Sequence, residues 1–480
     1  MPLDPGGQEV ISLRSRPYRK SHTLSEVLIY NRAAPVRGGG PECCAGNAPR
    51  KDSGSGTGST YFRQLDAIRA FAVGGVLMAH FLPVSYRLAP WGEMGVRLFF
   101  VISGFLITGI LLRSREHIEA SGQSPLFALR SFYIRRFLRI FPIYYLAMLV
   151  ALVGNIGPAR QTLFWHLTYL SNVYTTVTGD VPGALAPYWT LAVEEQFYLV
   201  WPWLLLFLPR KYLLPAIVAT SVLGPAVRLG GILLDVSALR VGRLPFACLD
   251  TLGLGSLLAL ASHPHSAYPK LLKHLLRISI PVGMPLFAVG LLIHVSDFNH
   301  LAFPFPWWMG KLSLVTFDLG LALLSVRLVA AVARGFRGVI GSVLNLPALV
   351  YLGGISYGIY VYHVFAQILV LGHLRELPNL SPAPVGLLAV LLGGTSRVAA
   401  RVDRGSRRLS QLLCIEAVCA TAAFLFLLAG AVGFPDRYVE LGVYLAFATG
   451  TALAMAGLSW HLLEQPLLRL KDRFPYARSE

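Results

Sequence analysis

Acidic residues are scarce in this chain, and charge of any sign is thin. Aspartate and glutamate number 24 against 42 lysines and arginines, and charged residues fill only 14% of the 480 positions. A soluble chain of this length would divide into two or three domains around separate cores. Here 55% of the residues are hydrophobic and the mean hydropathy is +0.58. The apolar residues fall in runs of about 17–25, the length that crosses the hydrocarbon layer of a bilayer. The net charge of +18 does not form a soluble basic face. The arginines gather in short loops between apolar runs, which argues against a nucleic-acid partner and fits the cytoplasmic bias of basic loops, with some left over for an anionic ligand.

Cysteine is equally sparse. Cys43 and Cys44 are adjacent in a polar stretch, and Cys248, Cys414 and Cys419 lie in apolar runs. An odd, scattered set gives neither a disulfide framework nor a metal-ligand spacing, so no metal is expected. Residues 1–60 hold no apolar run of signal-peptide length. They are rich in Gly, Ser, Pro and Arg, and SGSGTGST at 53–60 reads as a flexible linker. The expected organisation is a disordered cytoplasmic tail over 1–60, a transmembrane domain over 61–470 and a short cytoplasmic tail over 471–480. No internal repeat is visible.

The fold expected is all-α, a polytopic transmembrane bundle of about 10–12 helices. Apolar runs predict spans near 65–86, 95–112, 138–156, 189–208, 212–232, 245–262, 274–295, 312–332, 347–372, 412–432 and 441–462. A shorter piece, 385–394, is half a span. Arginines at 113–139 and 396–411, with Arg210, Lys211, Arg334 and Arg337, mark the cytoplasmic loops and put the N-terminus on the cytoplasmic side of the membrane. Parity then requires 385–394 to cross or re-enter, or else the basic loop at 397–408 breaks the rule.

Ionisable groups at membrane depth are costly, so they point to function by default. The first span, LDAIRAFAVGGVLMAHF, carries Asp66, Arg69 and His80. Eleven residues separate Arg69 from His80, which at 100° per residue returns to within about 20° of one face, about 16 Å further along. Both are therefore expected to face one cavity at different depths. Asp66 is at ion-pair spacing from Arg69. A snorkelling arginine and a histidine bonded to a neighbouring helix fit the same residues. The segment RSFYIRRFLRIFPIYY brings Arg135, Arg136 and Arg139 among aromatics. Their guanidinium forks suit phosphate oxygens, although a topology-setting loop also uses arginine. In YWTLAVEEQFYLVWPW, Glu194 and Tyr198 share a helix face, while Glu195 points elsewhere. In YLGGISYGIYVYHVF, Ser356, Tyr360 and His363 form one polar stripe within an apolar segment, which should face protein or a cavity.

These segments, with GVRLFFVISGFLITGILL and LSWHLLEQPLLRL, resemble in content and order the integral membrane acyltransferase family 3, whose members O-acylate bacterial glycans and some macrolides. The match runs from residue 65 to 470. The resemblance implies an Arg-x10-His pair at Arg69 and His80, an Arg-x-x-Arg element at Arg136 and Arg139, and a glutamate at Glu194. It further implies a Ser-Tyr-x-x-Tyr-x-x-His element at Ser356, Tyr357, Tyr360 and His363, and a closing Glu-x-Pro at Glu464 and Pro466. Arg97 stands where many relatives carry another residue and is given no role. About ten core helices are usual in the family, and 383–432 fits that plan poorly.

The implied activity is acyl transfer, acetyl by default, from acyl-CoA to a hydroxyl of a glycan or lipid-linked saccharide in the inner membrane. His80 is the expected general base, since a buried histidine favours its neutral form, and His363 is the rival. Arg69 would hold the donor or the pose of its helix. Arg135, Arg136 and Arg139 would bind coenzyme A phosphates, and Tyr360, Ser356, Glu194 or Tyr198 would orient the base or acceptor. The competing class is a transporter of a small anionic or sugar-like substrate, because buried Arg, His and Glu also mark transport pathways.

Overall fold

A computed structural model describes residues 62–82, 89–298, 307–373, 382–402 and 406–476. The expected tail at 1–60 lies outside the described residues. Among those described, the chain is helical and contains no strand. The longer helices are α1 (Arg63–Phe81), α2 (Trp91–Ser121), α3 (Pro125–Val153), α4 (Trp189–Phe207), α5 (Arg210–Leu233), α6 (Leu249–Ser262), α7 (Pro269–Phe298), α8 (Trp307–Arg334), α9 (Pro347–Gly354), α10 (Ser356–Gly372), α11 (Pro382–Val402), α12 (Ser406–Ala431) and α13 (Asp436–Ser459). Short helices connect α3 to α4 (Leu163–Leu167 and Ser171–Thr178) and α5 to α6 (Ala238–Arg243).

Among the described residues, eight helices are long and apolar enough to cross a membrane, or nine if the bent pair α9–α10 counts as one span. Backbone groups in hydrocarbon must be satisfied within the segment, which helices alone do without a sheet edge. Side chains follow the same solvent. Leu229 on α5, Met284 and Leu292 on α7, Val390 on α11 and Leu425 on α12 point outward, as a lipid-facing surface requires. By contrast, every residue of α6 after Leu249 is buried. This helix is the axis of one half of the bundle, packed against α2 and α5. Gly104 and Gly255 make the α2–α6 contact possible, because a Cβ at either would collide with the facing backbone. The remaining half is built by α10, α12 and α13, which enclose Ala366, Ala423, Val443 and Ala448.

Two sequence expectations change. The run 347–372 is not one helix: α9 and α10 meet at 73°, with Ile355 between them. Gly353 explains the geometry of α9, since a Cβ there would fall inside the Asp66 carbonyl, and the helix crosses α1 at backbone contact. The half-span 385–394 is the middle of α11, a continuous helix of 21 residues. At 1.5 Å per residue it is about 31 Å long, yet it falls outside the eight helices that are both long and apolar enough to cross. Its apolar signal is diluted in sequence by Gly393, Gly394, Thr395 and Ser396, where Ser396 bonds to Ser410 on α12 instead of facing lipid.

Candidate active site

The two ends of α1 do different things. Near its start, Arg69 pairs with Asp66 at 3.0 Å. At its far end, His80 Nδ1 lies 2.8 Å from the Val76 carbonyl. A carbonyl only accepts, so Nδ1 carries the proton and Nε2 holds the lone pair. Gln367 of α10 donates to the His80 carbonyl at 2.8 Å and fixes the helix end. His363 meets His80 edge-on, with ring centroids 4.7 Å apart. His363 donates from Nδ1 to the Tyr360 carbonyl at 2.5 Å. It is fully buried, and its Nε2 has no partner.

His80 lines a cavity of about 330 Å³ shared with Tyr360, Thr190, Trp189, Arg243 and Arg97; His363 is not on its wall. The Tyr360 hydroxyl donates to the Pro187 carbonyl at 2.7 Å and lies 2.5 Å from Thr190 Oγ1. Arg243 lays its guanidinium over the Trp189 ring, 4.1 Å from the centroid. Arg97 grips Asp318 in a bidentate pair at 2.6 and 3.0 Å, and Asp318 stands 3.3 Å from Arg228. Arg228 in turn pairs with Asp250. Two arginines and two aspartates thus neutralise one another inside the bundle, as buried charges must. This quartet escapes sequence reasoning. The signal available was a single charge in each of three predicted spans, and Asp318 with Arg327 in the fourth.

On the other side, Arg136 lies over the Tyr198 ring, 3.8 Å from the centroid. Tyr198 donates to Ser103 Oγ at 2.9 Å, and Ser103 donates to Glu194 at 2.8 Å. Glu194 and Tyr198 therefore share a face as expected, joined through a serine of α2. Arg139 sits within electrostatic reach of Arg69, Arg136, Asp66 and Glu464. Glu464 is buried by a π-turn at Trp460–Glu464, a widened turn of the kind found at functional positions. Along α4, Trp189, Glu194 and Tyr198 descend about 14 Å from the cavity to these arginines. α1 and α2 run beside it with His80 and Arg69, and with Arg97 and Ser103. A polar seam links the two ends.

Several sequence expectations are placed differently. Arg69 is not on the wall of the His80 cavity; its guanidinium belongs to the arginine end. Arg135 is taken up by the C-terminal segment: its Nη1 donates to the Lys471 and Phe474 carbonyls at 2.9 and 3.1 Å, and Tyr476 lies beneath it. Glu194 is bonded to Ser103 and is not on the wall of the His80 cavity. Ser356, Tyr360 and His363 all lie on α10, after the bend at Ile355, but they meet different surroundings: Tyr360 reaches the cavity and His363 touches His80, while Ser356 is buried at the helix start. Arg97, given no role, is a cavity wall.

Comparison with known proteins agrees with the resemblance. An acyltransferase domain matches residues 62–396. A putative peptidoglycan O-acetyltransferase of Bacillus subtilis is 29% identical over 330 residues, covering 63% of this chain and 48% of the relative. A peptidoglycan O-acetyltransferase of Listeria monocytogenes is 35% identical over 164 residues, 31% of this chain and 25% of its own. A putative O-acetyltransferase of Staphylococcus aureus is 28% identical over 331 residues, 63% of this chain and 50% of its own. The chain thus spans about half, or less, of the length of these relatives. No solved structure matches it. With the matched domain covering well over half of its residues, the chain belongs to this acyltransferase family.

Proposed function

We propose that this protein is a membrane O-acetyltransferase that moves an acetyl group from acetyl-CoA to a hydroxyl of a cell-envelope glycan, with a peptidoglycan-type saccharide as acceptor. The family match and the names of the relatives support the reaction class and the acceptor. The observation that carries the mechanism is His80 on the cavity wall, with its Nδ1 proton committed to the Val76 carbonyl.

In this reading, His80 Nε2 takes the proton of the acceptor hydroxyl as that oxygen attacks the thioester carbonyl. The tetrahedral intermediate collapses, the C–S bond breaks, and the imidazolium returns its proton to the thiolate. Arg136 and Arg139 bind the coenzyme A phosphates at the cytoplasmic end, with Arg69 beside them. The seam along α1, α2 and α4 accepts the pantetheine arm. Tyr360 and Thr190 hold the acceptor side, and Trp189 with Arg243 offers the flat, hydrogen-bonding wall that sugars use. The N-terminus is cytoplasmic and the membrane is the inner one.

The test is transfer of labelled acetyl from acetyl-CoA to a peptidoglycan fragment or lipid-linked saccharide by protein in nanodiscs. The expected result is ester formation in the wild type and its loss in His80→Ala with insertion intact. Full activity in that variant would overturn the assignment of His80. Saccharide flux without acetyl consumption would favour transport instead.

A further inference from the structure

A second group of chemistry-bearing side chains lies far along α2 from the cavity. The α2 and α6 helices pack in parallel, with Gly104 against Leu252. From that contact, twelve residues along α2 lead to Glu116, and eleven and thirteen along the other chain segment lead to His263 and His265. The register therefore delivers all three to one spot, where α6 has just ended at Ser262. Glu116 Oε1 is 3.4 Å from His263 Nδ1 and 3.0 Å from His265 Nδ1. The three donor atoms all lie within 4.8 Å of one another.

We propose that Glu116, His263 and His265 form a binding site for one divalent transition-metal ion of the zinc class. The donor set is two imidazoles and a carboxylate, with a position left for water, a combination that zinc accepts. Bonds of about 2.1 Å at the tetrahedral angle put ligand atoms about 3.4 Å apart, close to the spacings from Glu116. The separation between the two histidines must close to the same value, which asks for a turn of the His265 ring. The side chain has that freedom, since it is 61% exposed. His263 is only 8% exposed and anchors the ion from the protein side. Pro264 between them restricts the backbone, and the two ring centroids lie 6.2 Å apart.

Arg113 and Arg210 lie within electrostatic reach of Glu116. Arg115 bonds Glu119 at 2.8 Å, and Arg210 bonds the same carboxylate at 2.5 Å. Glu119 thus takes the close contacts of Arg115 and Arg210, while the close contacts of Glu116 are with the histidines. The bound ion would clip the ends of α2 and α6 together. Since α2 carries Arg97 near its other end, the clip also stiffens the helix that forms one wall of the cavity. The site stands apart from the polar seam and does not depend on the reading of His80.

The experiment uses the full chain without a polyhistidine tag, stripped with chelator and titrated with cobalt(II) alone. The expected result is one cobalt per chain, a visible ligand-field absorption of a four-coordinate ion, displacement by zinc(II), and a higher thermal midpoint with metal. Glu116→Gln and His265→Ala should each weaken binding by at least about tenfold. Because His265 is exposed, its variant keeps the fold and isolates the ligand effect. Absence of stoichiometric cobalt in the wild type would overturn the proposal, as would unchanged binding in both variants.

Discussion

His80 and His363 meet edge to face with centroids 4.7 Å apart, yet only His80 reaches the cavity. Removing a positioned general base typically costs 10²–10⁴-fold. We expect His80→Gln to lower kcat by about a thousandfold. His363→Asn, which disturbs the support of the base and not the base itself, should cost about tenfold. Steady-state rates of acetyl transfer check both. A larger loss in His363→Asn than in His80→Gln would reverse the assignment.

Arg136 and Arg135 are adjacent in sequence but differently engaged. Arg136 stacks on Tyr198, whereas Arg135 is committed to the Lys471 and Phe474 carbonyls. A lysine keeps the charge but loses the planar fork. Arg136→Lys should raise KM for acetyl-CoA by about tenfold, equivalent to about 1.4 kcal/mol, with kcat little changed. Arg135→Lys should leave KM alone and loosen the C-terminal segment, seen as faster proteolysis there. Equal effects on KM would show that the two arginines are not separated in function.

Arg97 and Asp318 compensate each other in the interior. Arg97→Met leaves Asp318 with only the more distant Arg228, and breaking a buried pair costs about 3–5 kcal/mol. Arg97→Met with Asp318→Leu removes both charges and should recover most of that loss. Thermal unfolding in one detergent compares them. A double variant as unstable as the single would mean that packing, not charge compensation, is what Arg97 provides.

His166, in the short helix Leu163–Leu167 between α3 and α4, is buried with neither ring nitrogen partnered. Burial pushes it down from 6.5 to about 4. The folded state therefore holds its proton less tightly than the unfolded chain. The stability it supports is complete above about pH 6.5 and is lost as the pH falls toward 4, by on the order of 3 kcal/mol. In His166→Phe the thermal midpoint should fall less over that range. An identical acid slope would place the sensitivity elsewhere.

The helices and the polar residues within them were legible because a bilayer demands long apolar runs and penalises every exception. Periodicity put Arg69 and His80 on one face of α1, although only His80 reaches the cavity, and i,i+4 spacing put Glu194 and Tyr198 on one face of α4. Partners far apart in sequence were not. Asp318 is 221 residues from Arg97, and the Lys471 carbonyl is 336 residues from Arg135. No local pattern records such pairings. The close crossing of α9 over α1 was hidden too: Gly353 meets the Asp66 backbone, a contact between helices far apart in sequence.

The separation of Arg69 from His80 along α1 carries a consequence for energy supply. Outside the cytoplasm there is no pool of activated acyl donors. A carrier that stays on one side while its cargo is handed through the protein delivers thioester free energy to the far compartment without losing the carrier. On the proposed reading, the seam beside α1 makes the bilayer permeable to an acetyl group alone, and the coenzyme never leaves the cell.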